Sequence, residues 1–167
     1  MKQTLILPND QFDNFDRMKE SLSDLENVTM AHDVNELSDV LQPIKDDEKI
    51  VIIDFGWDRG YEFAIQDCAK DPMARREFLD KTPVICIHGN PAWLMSSVRK
   101  RMHDEIGVVG FISTKDTFTW VNQRSRLHDV IAELQNCEGA ITSAVFDDVM
   151  RNLPKPKPKR LRTPVGP

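Results

Sequence analysis

Two hydrophobic patterns alternate along the chain. Leu5-Ile6-Leu7, Ile50-Val51-Ile52-Ile53, Pro83-Val84-Ile85-Cys86-Ile87 and Val108-Val109-Gly110-Phe111-Ile112 are short apolar runs of strand length, and Asn27-Val28-Thr29-Met30 reads as a further short strand. Continuous β-branched runs suit strands covered on both faces. Between them, apolar residues return every three or four positions, the spacing of one helical face. Phe12, Phe15, Met18, Leu22 and Leu25 give one such stripe, and Val34, Leu37, Val40 and Leu41 a shorter one ending near Pro43. Residues 61–79 read as helix, interrupted near Asp71-Pro72. Leu94, Val98 and Met102 mark another helix, and Trp120, Leu127, Ile131 and Leu134 predict the inner stripe of the one after the fifth strand.

Strand and helix therefore alternate five times with short connections, which predicts a parallel sheet with helices on both faces. Five strands suit an α/β flavodoxin-like sheet of order 2-1-3-4-5; a barrel needs eight. The predicted divisions are a body at 1–136, an extra helix at 137–152 and a Pro/Lys-rich linker or tail at 153–167. Cys137-Glu138-Gly139 is the turn before the extra helix, with Thr142 or Ser143 as its cap and Val145, Phe146, Val149 and Met150 on its apolar side. The alternating Pro154-Lys155-Pro156-Lys157-Pro158-Lys159 predicts an extended spacer of about 3.1 Å per residue.

Charge changes the picture in one respect. The chain of 167 residues has 22 Lys+Arg against 27 Asp+Glu and a net charge of -5. Six of the 22 basic residues lie from Arg151 onward with no acid among them, which leaves 16 against 27, a net of −11, in residues 1–150. An acidic body repels phosphate backbones. Lys155, Lys157, Lys159, Arg160 and Arg162 are thus the candidate DNA phosphate contacts, and five contacts would give a salt slope of about −4 to −5.

No apolar run approaches the roughly 20 residues of a membrane helix, and the N-terminal apolar stretch is too short for a secretory signal. Cys68, Cys86 and Cys137 form neither a disulfide framework nor a zinc spacing, so a cytoplasmic location and no membrane partner are expected. His32, His88, His103 and His128 share no ligand spacing with the cysteines. Ser96 and Ser97 lack the G-x-S-x-G elbow, and Gly56, Gly60 and Gly89 form no phosphate-cradling loop. Asp46-Asp47-Glu48 and Asp147-Asp148 read as solvated surface charge.

Asp54 is the leading candidate for chemistry. It ends the central apolar strand beside the topological switch point, where such sheets bind ligands, and right-handed crossovers would bring Asn9 and Asp10 into the same crevice. A capping role for Asp54 in the following loop is the simpler alternative. Asp10, Asp54 and Asp58 are the candidate set for a weakly held metal.

Val51-Ile52-Ile53-Asp54, followed by Pro83–Ile87 and Gly110-Phe111-Ile112, resembles a response-regulator receiver domain over roughly residues 3–136. The resemblance puts Asp54 at the phosphoacceptor position. Three features of that family are missing or displaced. The acid pair after strand one is replaced by Pro8-Asn9 and then Asp10. Ile87 or His88 stands where a Ser or Thr contacts the phosphoryl group. Ser113 or Thr114 stands at the place of the Lys, with Lys115 one position late. Phosphoryl transfer depends on positioning by metal and cation, so the resemblance implies that Asp54 is unused and that no enzyme activity and no cofactor is expected, Mg²⁺ entering only if Asp54 is active.

The pattern is similar to the LuxR/FixJ type, in particular CsgD/VpsT-like biofilm transcription regulators, whose receivers have lost the acid pair. That similarity implies a homodimer, a regulatory protein partner, and DNA contact through a helix-turn-helix domain that is missing or separate. The chain would be either a truncated regulator or a stand-alone receiver-like protein. The W-[FLM]-[TS]-R motif with which some of that branch hold cyclic di-GMP is matched by Ala140-Ile141-Thr142-Ser143, without the Trp or the Arg, and Trp93-Leu94-Met95-Ser96 lacks the Arg. The expected interface residues are Trp93, Arg101, Trp120 and Arg124 on the fourth and fifth helices, with Val145, Phe146 and Val149 on the sixth. A phosphorylatable receiver is the alternative function; a flavodoxin-like electron carrier ranks last, having no flavin-phosphate loop.

Overall fold

The structure, a computed structural model, describes residues 1–8, 14–32, 36, 39–40, 43–54, 82–89, 91–113, 120–121 and 124–154. The expected helix at 61–79, together with Asn9, Asp10, Phe12, Asp58, Cys68, Thr114, Lys115 and the basic tail from Lys155, lies outside them. The strands are β1 (Gln3–Leu7), β2 (Val28–Met30), β3 (Lys49–Asp54), β4 (Val84–His88) and β5 (Val108–Ser113), and they form one parallel sheet in the order β2-β1-β3-β4-β5. The described helices are α1 (Asn14–Ser21), α2 (Ser96–Ile106), α3 (Arg126–Gln135) and α4 (Ser143–Asn152). The architecture is the expected α/β flavodoxin-like one.

Period-two alternation divides the strand side chains between two cores. Ile6, Ile50, Ile52, Ile85, Ile87 and Ile112 face Met18 of α1, Leu127, Val130, Ile131 and Leu134 of α3, and Phe146 of α4. Leu5, Val51, Ile53, Val84, Cys86 and Val108 face Leu94, Val98 and Met102 on and before α2. β3 is buried at all six positions, as its unbroken apolar run requires. Each buried Leu, Ile or Val contributes roughly 1.5–3 kcal/mol relative to exposure.

Local signals set the helix ends. Ser125 caps α3, its hydroxyl accepting from His128 N at 3.1 Å, and Thr142 caps α4 by accepting from Val145 N at 3.3 Å. α2 ends at Gly107, whose φ of 73° lies in the left-handed region while its N–H closes on His103 O. A Cβ there meets nothing nearer than Thr82 O at 3.7 Å. Gly107→Ala is therefore expected to cost only backbone strain, about 1–2 kcal/mol, read as a lower urea midpoint with an unchanged slope.

β5 carries a bulge. Val84 pairs with Val108, but Ile85 pairs with Gly110, so Val109 is an extra residue on β5. Gly110 then faces α4, and an added Cβ would sit 2.0 Å from Phe146 Cδ1 and 2.6 Å from its Cγ. Phe146 is 3% exposed. The aromatic ring therefore fills the space that the missing side chain leaves, and α4 is clamped onto its own sheet.

Three sequence expectations are corrected here. Trp120 does not begin the inner stripe of a helix: Trp120–Val121 (β6) pairs antiparallel with Arg124–Ser125 (β7), and α3 starts only at Arg126. Arg124 thus belongs to this small hairpin as well. Trp93 closes a 3-10 turn, Pro91–Trp93, ahead of α2. Phe146 is 3% exposed and packs over Gly110 in the core.

Candidate functional site

The parallel sheet fixes the composition of its carboxyl edge. β1 ends at Leu7 with buried Pro8 after it, β3 at Asp54, β4 at His88 followed by buried Gly89, and β5 at Ser113. Asp54 is 8% exposed, a carboxylate withdrawn from water at the end of the most buried strand. A buried charge needs polar partners, and Asp54, His88 and Ser113 each engage a neighbour.

Register decides which of these residues share a face. Asp54 is level with Ile87, while His88 is level with Ser113. By alternation Asp54 has the parity of Ile50 and Ile52, on the α1–α3–α4 side of the sheet, and His88 has the parity of Cys86, on the α2 side. The strand position directly beside Asp54 is therefore filled by an aliphatic side chain, and the imidazole and the Ser113 hydroxyl are at positions of the opposite parity. Of the candidate metal set, Asp54 is the one member within the described residues; Asp10 and Asp58 lie outside them. Among the described residues no group of three His, Cys, Asp or Glu is arranged to hold a metal ion.

The expected interface residues separate by burial. Arg101 is exposed on α2, and Val145 and Val149 are half-buried on α4, packed against the inner cluster. α4 is tied to α3 by Arg126, which donates to Pro154 O at 3.1 Å and Met150 O at 3.5 Å. Since Arg126 is at the N-terminus of α3, the chain leaves α4 at the carboxyl end of the sheet, the end that carries Asp54. None of the candidate phosphate-contacting residues of the tail is described.

Several polar contacts had no sequence signal. His128, 3% exposed, directs Nε2 at both carboxylate oxygens of Asp24, 2.9 and 3.0 Å away and 104 residues distant in sequence. Gln135 donates to the carbonyls of Glu26 and Asn27. Arg99 lies 5.0 Å over the Phe111 ring and donates to the carbonyls of Leu94 and Pro91. A polar cleft of about 410 Å³ opens at the opposite, amino edge of the sheet beside Lys2, Asp47, Glu48 and Gln135, remote from Asp54.

On α2 the hydrogen bond from Lys100 holds the Asp104 carboxyl below the usual carboxylate range, His103 adding to the effect, and the Lys100 ammonium is raised in turn. A lowered carboxyl stabilises the fold above its unfolded pKa and loses that contribution as pH falls through its folded value. Both groups are solvent-exposed, so the pair is weak and screened by salt. The difference in urea midpoint between the native chain and Asp104→Asn is expected to be small at neutral pH and to vanish in acid; a difference persisting there would assign it to packing instead.

No protein-family model, curated protein or solved structure matches this chain. No helix among the described residues is long and apolar enough to cross a membrane.

Proposed function

We propose that the chain is a non-catalytic, receiver-like regulatory domain of a LuxR/FixJ-type transcription regulator, acting by self-association and partner contact rather than by phosphorylation. The observation that carries this reading is the carboxyl edge of the 2-1-3-4-5 sheet. Asp54 stands at the end of the central strand level with Ile87, so among the described residues the β4 position beside it carries neither the hydroxyl nor the cation that would steady a phosphoryl group, and His88 and Ser113 are of the opposite parity. Transfer to an aspartate needs those groups in place, because positioning and charge neutralisation do nearly all the work. Without them the sheet is a scaffold that spaces DNA-binding domains across half-sites when two copies associate. The basic tail then serves as a stiff connection from the domain to DNA or to a DNA-binding domain.

A second reading, a phosphorylatable receiver with Asp54 as acceptor, is favoured by one observation: the carboxylate occupies the strand end at which that chemistry takes place. Titration with beryllofluoride and Mg²⁺, followed by NMR of the Asp54 and Ile87 amides, separates the two. No saturable shift is expected; an ordered complex would transfer the conclusion to the second reading. Sedimentation of the native chain is expected to show a dimer that Arg101→Glu together with Val149→Asp converts to monomer. A chain that stays monomeric at high concentration removes the self-association reading.

A further inference from the structure

β2 is the outermost strand on its side of the sheet, and no strand among the described residues pairs with its free edge. Asn27 O accepts from Thr4 N at 2.8 Å and Ala31 N donates to Ile6 O at 2.9 Å. Backbone groups alternate in direction along a strand, so the N–H and C=O of Val28 and Met30 point away from β1. Such an edge is a template for another strand.

The two faces beside this edge differ in chemistry. On the α1 side a groove of about 450 Å³ is lined by apolar Phe15, Leu22, Leu25, Val28 and Met30, with Lys19, Ser23 and Thr29 among them. On the other side Glu36 accepts from His32 N at 2.9 Å, just beyond the end of β2, and Asp39 is exposed next to Val40, which packs into the core of that face. An added strand that fits would put an apolar side chain toward the groove and basic ones on the opposite face.

We propose that the chain's own segment 159–163 docks along β2 as an additional edge strand, with Leu161 in the groove and Arg160 and Arg162 toward Glu36 and Asp39. After Leu153, prolines recur at 154, 156, 158, 164 and 167, and Lys159-Arg160-Leu161-Arg162-Thr163 is the longest stretch whose residues all retain a backbone N–H. Pro158 and Pro164 limit the pairing to these five residues, enough to cover the three of β2. Strand alternation places Leu161 on one face and both arginines on the other, the division the edge presents. Mode and partner are thus those of β-augmentation, main-chain hydrogen bonds giving affinity and the side-chain pocket specificity.

Charge and reach agree with this occupant. The tail is basic, the body acidic. Pro154 is held by Arg126 at the carboxyl end of the sheet, and Leu161 is seven residues further on. At about 3.1 Å per residue that is roughly 22 Å, against about 19 Å for the four inter-strand steps across a five-stranded sheet. Arginines committed to Glu36 and Asp39 are not available to phosphate, so docking and DNA contact by Arg160 and Arg162 exclude one another. The docking itself does not rest on the proposed regulatory function and is measured without DNA.

Amide exchange on the full-length chain tests it. Val28 and Met30 amides are expected to exchange about tenfold more slowly in the native chain than in Leu161→Asp, with Arg160→Glu/Arg162→Glu showing the same loss and the Ile52 and Ile85 amides unchanged in all three. Equal rates at Val28 and Met30 in the native chain and the variants overturn the proposal. Protection that falls on dilution assigns the added strand to a second molecule, and so also overturns docking by the chain's own tail.

Discussion

Truncating Phe146 to Ala is expected to lower unfolding free energy by about 3–5 kcal/mol. The ring is 3% exposed and is the side chain through which α4 reaches the space over Gly110. The reciprocal change, Gly110→Ala, overfills the same space, since its Cβ would lie 2.0 Å from Phe146 Cδ1. Overpacking of that kind costs about 1–3 kcal/mol. The two losses should not add: once the ring is gone the Gly110 methyl has room, so Gly110→Ala in the Phe146→Ala background is expected to be nearly neutral or favourable. Urea unfolding of the four proteins of this cycle measures the coupling. Additive losses would mean that α4 is held by other contacts.

Asp24→Ala is expected to cost about 1–3 kcal/mol although Asp24 itself is well exposed. The reason lies with its partner. His128 Nδ1 makes no hydrogen bond in its buried position, the Asp129 carboxylate lying 3.6 Å away, and Nε2 depends on the Asp24 carboxylate. Removing the carboxylate leaves Nε2 without its acceptor, and the imidazole between α3 and the turn after α1 with only the longer Asp129 contact. His128→Phe removes the polar atoms together with the need for a partner, and is expected to cost less than Asp24→Ala. The opposite order of urea midpoints would show that the pair stabilises through charge on Asp24 rather than by satisfying the ring.

The sheet was legible because its strands are written in the plainest signal a sequence has. Ile50–Ile53 and Val84–Ile87 are too short for helices and too uniformly apolar for surface strands, and the regular return of helical stripes between strands implied parallel order. Trp120 was misread because it lies seven residues before Leu127, a spacing that a helix and a hairpin of two-residue strands satisfy equally. The discriminating residue was Ser125, a helix cap placed between them. The place of Phe146 was not legible for a different reason. The stripe Val145, Phe146, Val149, Met150 states that α4 has an apolar face but not whose surface covers it. A glycine in the middle of β5 was the available clue, since such a residue marks close approach by another element.

The candidate site was legible in part. Asp54 could be found from its place at the end of an apolar strand, which is a local property. What stands beside it depends on inter-strand register, which sequence spacing does not fix: Ile87, not His88, is level with Asp54. The Asp24–His128 contact joins residues 104 apart and carries no periodicity at all.

The bulge in β5 makes the strand unusually forgiving at a single point. Ladder partners Val84↔Val108 and Ile85↔Gly110 skip Val109, so excising that one residue would leave every remaining partner and every inward-facing side chain where it is, merely straightening the strand. Losing Phe111 instead would turn Ile112 from one core to the other. Within β5, length variation is thus confined to one codon, and natural shortening of the strand should fall there.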